Sequence, residues 1–324
     1  MYSPTAILHA TDRSADSLRL EEREIPTPGP DEVLVRLGYS PVNPADLNVL
    51  SGTYGERLEL PGVPGNEGAG VVRALGSAVT SCEEGDVVIA PRCAGFWQQY
   101  RCFPAAELVV VPPGISERDA AILSVNPATA WLMLREFVPL KAGDWIVQNA
   151  ANSAVGQWVA QFAKARGLHT ANVVRSQAAV DLLLELGADC CVLDVANFAN
   201  QLRQAITGPC PLALNGVGGE NARQLTRALQ TRGTLVTYGA MSRENLSVGG
   251  GQLIFKDLRF VGFWVSAWLR QASAVALQSL FAEIAHTILA ENLRFPQSKL
   301  FPLTALADAI SASEAGGTKV LLEL

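Results

Sequence analysis

Between residues 145 and 263 the chain alternates short apolar runs with amphipathic ones, and this rhythm narrows the possible folds more than any other feature. Strands are predicted at 145–149, 170–174, 191–193, 211–215, 234–238 and 258–263. Helical periodicity fills the gaps at 155–166, 178–186, 198–206 and 221–230. Strands that each return through a helix run parallel and need cover on both faces. The segment is therefore predicted to be a doubly wound α/β sheet.

The first crossover carries the most chemistry. Residues 148–157 read Gln-Asn-Ala-Ala-Asn-Ser-Ala-Val-Gly-Gln. They follow Trp145-Ile146-Val147 and open a helical pattern through Val155, Val159, Phe162 and Ala163. Strand, tight turn and helix N-terminus make up the arrangement that binds a dinucleotide pyrophosphate. Against Gly-x-Gly-x-x-Gly the loop offers Ala151, Ser153 and Gly156, so it keeps only the last glycine. Context supports the reading more than glycine count does; the alternative is an ordinary turn capped by Ser153. The next strand ends at Arg175, followed by Ser176 and Gln177. An NAD site usually has a carboxylate there to accept the ribose 2′-hydroxyl. Arginine only donates and suits a 2′-phosphate, so NADPH is favoured over NADH.

With 324 residues, 49% of them hydrophobic, the chain can fill two cores. A net charge of −6 and no run of lysine or arginine argue against a nucleic-acid partner. No apolar run reaches the ~18 residues of a membrane span. The N-terminus shows no basic region ahead of an apolar core, so a cytoplasmic protein is expected. Cys82, Cys93, Cys102, Cys190, Cys191 and Cys210 form no Cys-x-x-Cys, and His9, His169 and His286 lie apart from any cysteine pair. No zinc site is expected, and most of these thiols read as small core residues in a reducing compartment.

Before the alternating segment, residues 6–113 read as short strands punctuated by Gly and Pro, for example 32–37, 69–72, 86–89 and 108–111. This suggests a compact antiparallel barrel. Residues 119–138 look helical, with Pro127 expected to interrupt or kink them. After a helix near 272–291, a closing strand at 319–324 is expected to return to the first domain. The expected division is a substrate domain of 1–121 and 268–324, with a cofactor domain of 122–267 inserted in it.

Several longer stretches then fall in a recognisable order. They are Val42-Asn43-Pro44-Ala45-Asp46-Leu47-Asn48, Gly52-Thr53-Tyr54-Gly55, Gly65-Asn66-Glu67-Gly68 and Asn126-Pro127-Ala128-Thr129-Ala130. After the phosphate loop come Asn172-Val173-Val174-Arg175, Val236-Thr237-Tyr238-Gly239, Ile254-Phe255-Lys256-Asp257 and Gly262-Phe263-Trp264. Over nearly its whole length the chain resembles the medium-chain dehydrogenase/reductase superfamily. Within it, the match is to the zinc-free, mitochondrial-type trans-2-enoyl-CoA/ACP (2-enoyl thioester) reductases. The resemblance implies a Rossmann-type doubly wound parallel sheet inserted into a GroES-like β-barrel catalytic domain. Zinc-dependent members carry a Gly-His-Glu triplet. Here it is Gly65-Asn66-Glu67, and the cysteine expected near residues 43–46 is missing, so NADP(H) without zinc is implied.

The resemblance further implies Tyr54 as proton donor, and Asn126, Asn152, Ser153, Ala154 and Val155 as nicotinamide or pyrophosphate contacts. Arg175, Ser176 and Gln177 would hold the 2′-phosphate. Tyr238, Gly239, Ala240, Met241, Phe263, Trp264, Val265 and Ser266 would line the nicotinamide side, and Lys319 would reach the cofactor. It also implies a homodimer joined through the edges of the cofactor-domain sheets. Two features depart from the family pattern. The loop Pro91-Arg92-Cys93-Ala94-Gly95-Phe96-Trp97 is shorter and bulkier than usual, and Ala154 replaces a frequent glycine, tolerable at negative φ.

Reducing a 2-enoyl thioester takes a hydride at Cβ from the cofactor and a proton at Cα from the protein. A tyrosine, with a reference pKa of about 10, stays protonated at neutral pH and can donate. On residues alone, Tyr54 is either that acid or a turn tyrosine packed on the barrel. Asp46 and Asn48 either orient it or form turns, and turn formation is expected. Glu67 reads as a buried structural carboxylate. Arg270 and Lys256 are candidates for an acidic carrier by position only, and a solvated surface role is expected for each.

Three functions fit. The first is reduction of enoyl-CoA or enoyl-ACP. The second is zinc-free NADPH:quinone or enone reduction. The third is a non-catalytic NADPH-binding role. Gly52-Thr53-Tyr54-Gly55 and Phe263-Trp264 favour the first.

Overall fold

The computed structural model describes residues 1–12, 14 and 16–324. Contacts divide them into two compact units. One comprises Met1–Val125, Ser266–Leu289 and Phe295–Leu324; the other comprises Asn126–Val265 and Ala290–Arg294.

The first unit begins with an antiparallel hairpin, β1 (Tyr2–Leu8) and β2 (Leu18–Glu24). Then come β3 (Glu32–Val42), α1 (Pro44–Leu50), β4 (Ala69–Leu75), β5 (Val87–Ile89), β6 (Tyr100–Pro104), β7 (Val109–Val110) and α2 (Glu117–Ala120). Val33, Val35 and Leu37 alternate along β3 and are all buried, the period-two pattern of a half-buried strand. They pack with Val72, Val88, Phe96 and Phe103 in the barrel core.

The second unit runs α3 (Asn126–Glu136), β8 (Trp145–Gln148), α4 (Ala154–Ala165), β9 (His169–Val174), α5 (Gln177–Glu185), β10 (Cys190–Leu193) and α6 (Phe198–Ala205). It continues through β11 (Leu212–Asn215), α7 (Gly219–Thr226), β12 (Thr234–Thr237), α8 (Gly250–Lys256) and β13 (Arg259–Gly262). Its strands form a parallel sheet in the order β10-β9-β8-β11-β12-β13. The chain moves outward from β8 to β10 and then restarts beside β8 with β11. That reversal makes the C-terminal ends of β8 and β11 the switch point where open α/β sheets bind ligands. The unit is the doubly wound sheet expected from the alternation, in the Rossmann-type form that the resemblance implied.

The remaining elements are α9 (Val265–Gln271), α10 (Ala274–Ala290), β14 (Ser298–Pro302), α11 (Leu306–Ala315) and β15 (Lys319–Glu323). β15 pairs antiparallel with β3, so the tail does return to the barrel. The helix expected over 119–138 is two helices. Pro127 falls in the first turn of α3, where its missing N–H costs nothing, so it starts a helix rather than kinking one. Among the described residues no helix is long and apolar enough to cross a membrane.

Candidate functional site

In the second unit, β8 delivers the loop 149–153 to the switch point. Its left-handed residue is Ala150, with φ 47°, one position before Ala151, which stands where the fingerprint has its first glycine. Side chains hold the turn instead. Buried Asn149 donates from Nδ2 to Asn215 Oδ1 and to Asn221 Oδ1, each at 2.8 Å. Its Oδ1 accepts from Gly216 N at 2.7 Å, which ties the ends of β8 and β11 together. Ser153 Oγ caps α4 by accepting from Gly156 N at 3.2 Å. Gly156 has no room for a side chain: a Cβ there would lie 2.3 Å from Ala151 O.

The first amides of α4, on Ala154 and Val155, have no intrahelical acceptor and sit at the positive end of the helix dipole. Ala154 has a negative φ, so its methyl group is accommodated. Asn152 is exposed beside them.

Arg175, Ser176 and Gln177 follow β9, all exposed. Two of the three have local work. Ser176 Oγ caps α5 by accepting from Ala179 N, and Gln177 Nε2 donates to Asp181 Oδ1 at 2.9 Å. Burial raises the pKa of Asp194, at the end of β10, and the nearby Arg175 charge partly offsets this.

From β12, Tyr238 buries its hydroxyl, which has no hydrogen-bond partner among the described residues. Burial pushes this phenol up to about 12, with Ser153 pulling back. Gly239 and Ala240 lead on to Met241, whose N–H donates to Gly216 O and whose side chain is exposed. Phe263 stacks edge-on against Phe137 at 5.4 Å, and Trp264 is 37% exposed. Val265 and Asn126, which opens α3, are buried. A buried hydroxyl beside the capping serine, two amides with no intrahelical acceptor and an exposed guanidinium fit the acceptor-rich NADP(H).

In the first unit, the amides of Thr53 and Tyr54 both donate to Asn48 O, at 2.9 and 3.2 Å. This turn sets half-buried Tyr54 on the wall of a cavity of about 290 Å³, with Leu58, Asn66, Cys93, Ser266 and Arg270. The bulky loop also contributes Pro91, Arg92 and Ala94 to this wall.

A buried ionic cluster lies in the same unit. Asp46 is 0% exposed and accepts from Asn43 N (2.7 Å), Asn66 N (2.9 Å) and Asn66 Nδ2 (2.6 Å). It is not the turn former expected from sequence. As the third residue of α1, it closes back on the residue preceding the helix. Buried Glu67 accepts from Asn43 Nδ2, Val125 N and Ser124 Oγ, the structural role expected of it. Lys319 was expected to reach the cofactor. Its side chain is only 7% exposed, and its ammonium donates to Asn43 Oδ1 and lies 3.8 Å from Glu67.

Burial pushes the Asp46 carboxyl up to about 7, against the pull of the Asn43 and Asn66 donors. Burial also raises Glu67 and lowers Lys319, each opposed by the other's charge. A carboxyl with a raised native pKa contributes stability that is fully present below its unfolded pKa of 3.8 and is lost as pH rises through about 7. Asp46→Asn should therefore gain stability relative to the parent protein across that window, on the order of a few kcal/mol. Urea unfolding of both proteins at a series of pH values reads the difference, and a pH-independent difference would refute this.

Sequence reasoning missed Asn149, Asn215 and the wall position of Asn66. The only signal was a polar residue at the end of an apolar strand or beside glycine. Among the described residues no group of three or more His, Cys, Asp or Glu could hold a metal ion.

Two family models match the chain: the alcohol dehydrogenase GroES-like domain over residues 29–113 and the zinc-binding dehydrogenase over residues 154–282. The mitochondrial enoyl-acyl-carrier-protein reductase of Dictyostelium discoideum is 42% identical over 261 residues, covering 78% of this chain and 75% of its own. The Bos taurus protein of the same name is 40% identical over 306 residues, covering 92% and 82%. The Candida tropicalis enoyl thioester reductase Etr1p, solved with NADP and crotonyl-CoA, aligns over the whole of both chains with a TM-score of 0.90 and 28% identity. The relatives' names correct the expectation of a cytoplasmic protein, since they point to mitochondria. That expectation rested on the first residues of the given sequence, which say nothing of where the protein works.

Proposed function

This chain belongs to the zinc-free, mitochondrial-type 2-enoyl thioester reductases of the medium-chain dehydrogenase/reductase superfamily, and from that premise we propose that Tyr54 protonates Cα as trans-2-enoyl thioesters are reduced. The protein is an NADP(H)-dependent oxidoreductase acting on a carbon–carbon double bond. NADPH, when bound, supplies a hydride to Cβ.

The chain's own residues bind and orient. Ala154 and Val155 amides with the α4 dipole take the pyrophosphate, next to Asn152 and Ser153. Arg175 takes the 2′-phosphate as the principal donor, with Ser176 and Gln177 beside it. The Tyr238 hydroxyl finds its missing partner on the cofactor. Asn126, Gly239, Ala240, Met241, Phe263, Trp264, Val265 and Ser266 frame the nicotinamide. Lys319 acts from within its buried cluster, holding Asn43 and Glu67 in place. Exposed Leu253, Ile254 and Phe255 on α8, just before edge strand β13, support a homodimer.

The observation that carries the assignment is that Tyr54 lines a cavity rather than joining the barrel core. A phenol there can give its proton to Cα and recover one from water. NADPH oxidation followed with crotonyl-CoA and then with a simple quinone tests the reading. Rapid turnover of crotonyl-CoA is expected. Faster quinone turnover that ignores Tyr54→Phe would favour the quinone reductase, and NADPH binding without any turnover would leave the non-catalytic role.

A further inference from the structure

Gly65 holds φ 101°, and a Cβ there would lie 2.6 Å from Trp97 Cδ1, so only glycine fits this turn. The turn lays Asn66 on the wall of the cavity that Tyr54 lines. The Asn66 carboxamide is fastened at one end. Its Nδ2 donates to Asp46 Oδ1 at 2.6 Å, and its backbone N–H donates to the same oxygen at 2.9 Å. Asp46 takes its third hydrogen bond from Asn43 N and is shut off from water. With the nitrogen end anchored, the carbonyl end is the one left to present. Among the described residues no group donates to Asn66 Oδ1.

We propose that Asn66 Oδ1 accepts a hydrogen bond from the amide N–H of the substrate's carrier arm, with Asp46 as its positioning residue. This rests on the enoyl thioester reading above. The reacting end of such a substrate has a carbonyl oxygen and a Cα that takes a proton, and both call for donors. A carboxamide oxygen has no proton to give and serves neither. Coenzyme A and acyl carrier protein present their thioesters on the same pantetheine arm. The amide N–H of that arm, two methylenes beyond the sulfur, is the strong donor nearest the reacting carbons. An acceptor in a partly dry cavity gains most from such a donor. On the cavity wall Tyr54 then serves the acyl end as donor, and Asn66 serves the arm as acceptor.

The test compares two thioesters of one acyl group with the intact protein at saturating NADPH. Crotonyl-N-acetylcysteamine keeps the amide, and crotonyl S-butyl thioester lacks it. The unaltered protein should prefer the first by roughly fivefold to tenfold in kcat/KM, the range of one neutral hydrogen bond. Asn66→Ala should bring that ratio to about one. Asp46→Ala should lower it, and Asp46→Asn, which keeps an acceptor facing Asn66, should retain it.

A ratio near one in the unaltered protein overturns the proposal without recourse to any variant. So does a ratio unchanged by Asn66→Ala. Crotonyl-CoA in the same assay separates the failures. Turnover without amide preference removes the Asn66 assignment alone, whereas no turnover of any thioester removes the enoyl reading with it.

Discussion

Replacing Tyr54 with phenylalanine should lower kcat for crotonyl-CoA about a thousandfold, within the range that a positioned general acid supplies. The change deletes one oxygen and leaves the ring, so the cavity keeps its shape. The backbone that places the ring is fixed separately, by Asn48 O accepting from the amides of Thr53 and Tyr54. KM for the thioester and the affinity for NADPH should therefore change little, and the loss should fall on kcat. That split is the diagnostic part, because a misfolded loop would raise KM as well. Steady-state kinetics with crotonyl-CoA, beside a fluorescence titration of NADPH, read both quantities. A kcat within threefold of the parent value would show that the proton comes from elsewhere.

Arg175→Asp should weaken NADPH binding about a hundredfold or more, because it removes charge-assisted hydrogen bonds to a phosphate and adds repulsion. NADH has no group at that position, so its affinity should hardly move. Of the three polar residues that follow β9, Arg175 should matter most, since Ser176 and Gln177 already serve Ala179 and Asp181. Asp194 sharpens the expectation. Asp194 already feels the Arg175 charge, so a new aspartate would leave two acidic side chains at the place proposed for the 2′-phosphate. Titrating each reduced cofactor against both proteins measures the two affinities. An equal loss for NADPH and NADH would mean that Arg175 supports the fold rather than the phosphate.

What could be read before the structure follows from what periodicity records. The alternation of β8 through β13 with its helices was legible because parallel strands are buried on both faces and read as apolar runs. The loop after β8 was legible from its neighbours, although glycine count argued against it. The hairpin strand β2 was not, since Leu-Arg-Leu-Glu-Glu-Arg-Glu leaves most of its residues exposed and shows no apolar alternation. Helix α8 was also hidden, because it opens on consecutive glycines, the poorest helix formers after proline.

In the site, Tyr54 and Arg175 stood out as residue types with obvious chemistry. Asn149, Asn66 and the buried partner of Asn66, Asp46, did not. Their importance lies in which atoms they satisfy, and that depends on contacts between segments far apart in sequence.

The buried ionic cluster of the first unit has a consequence for the act of folding itself. Two carboxyls and one ammonium are enclosed together, so the group is electrically balanced only while one carboxyl keeps its hydrogen. Free in water, Asp46 would have given that hydrogen up long before neutrality; enclosed, it holds on until pH is about 7. A chain collapsing in mildly acidic solution must therefore draw a hydrogen ion out of its surroundings. A weakly buffered refolding mixture would turn slightly more alkaline as the barrel closes.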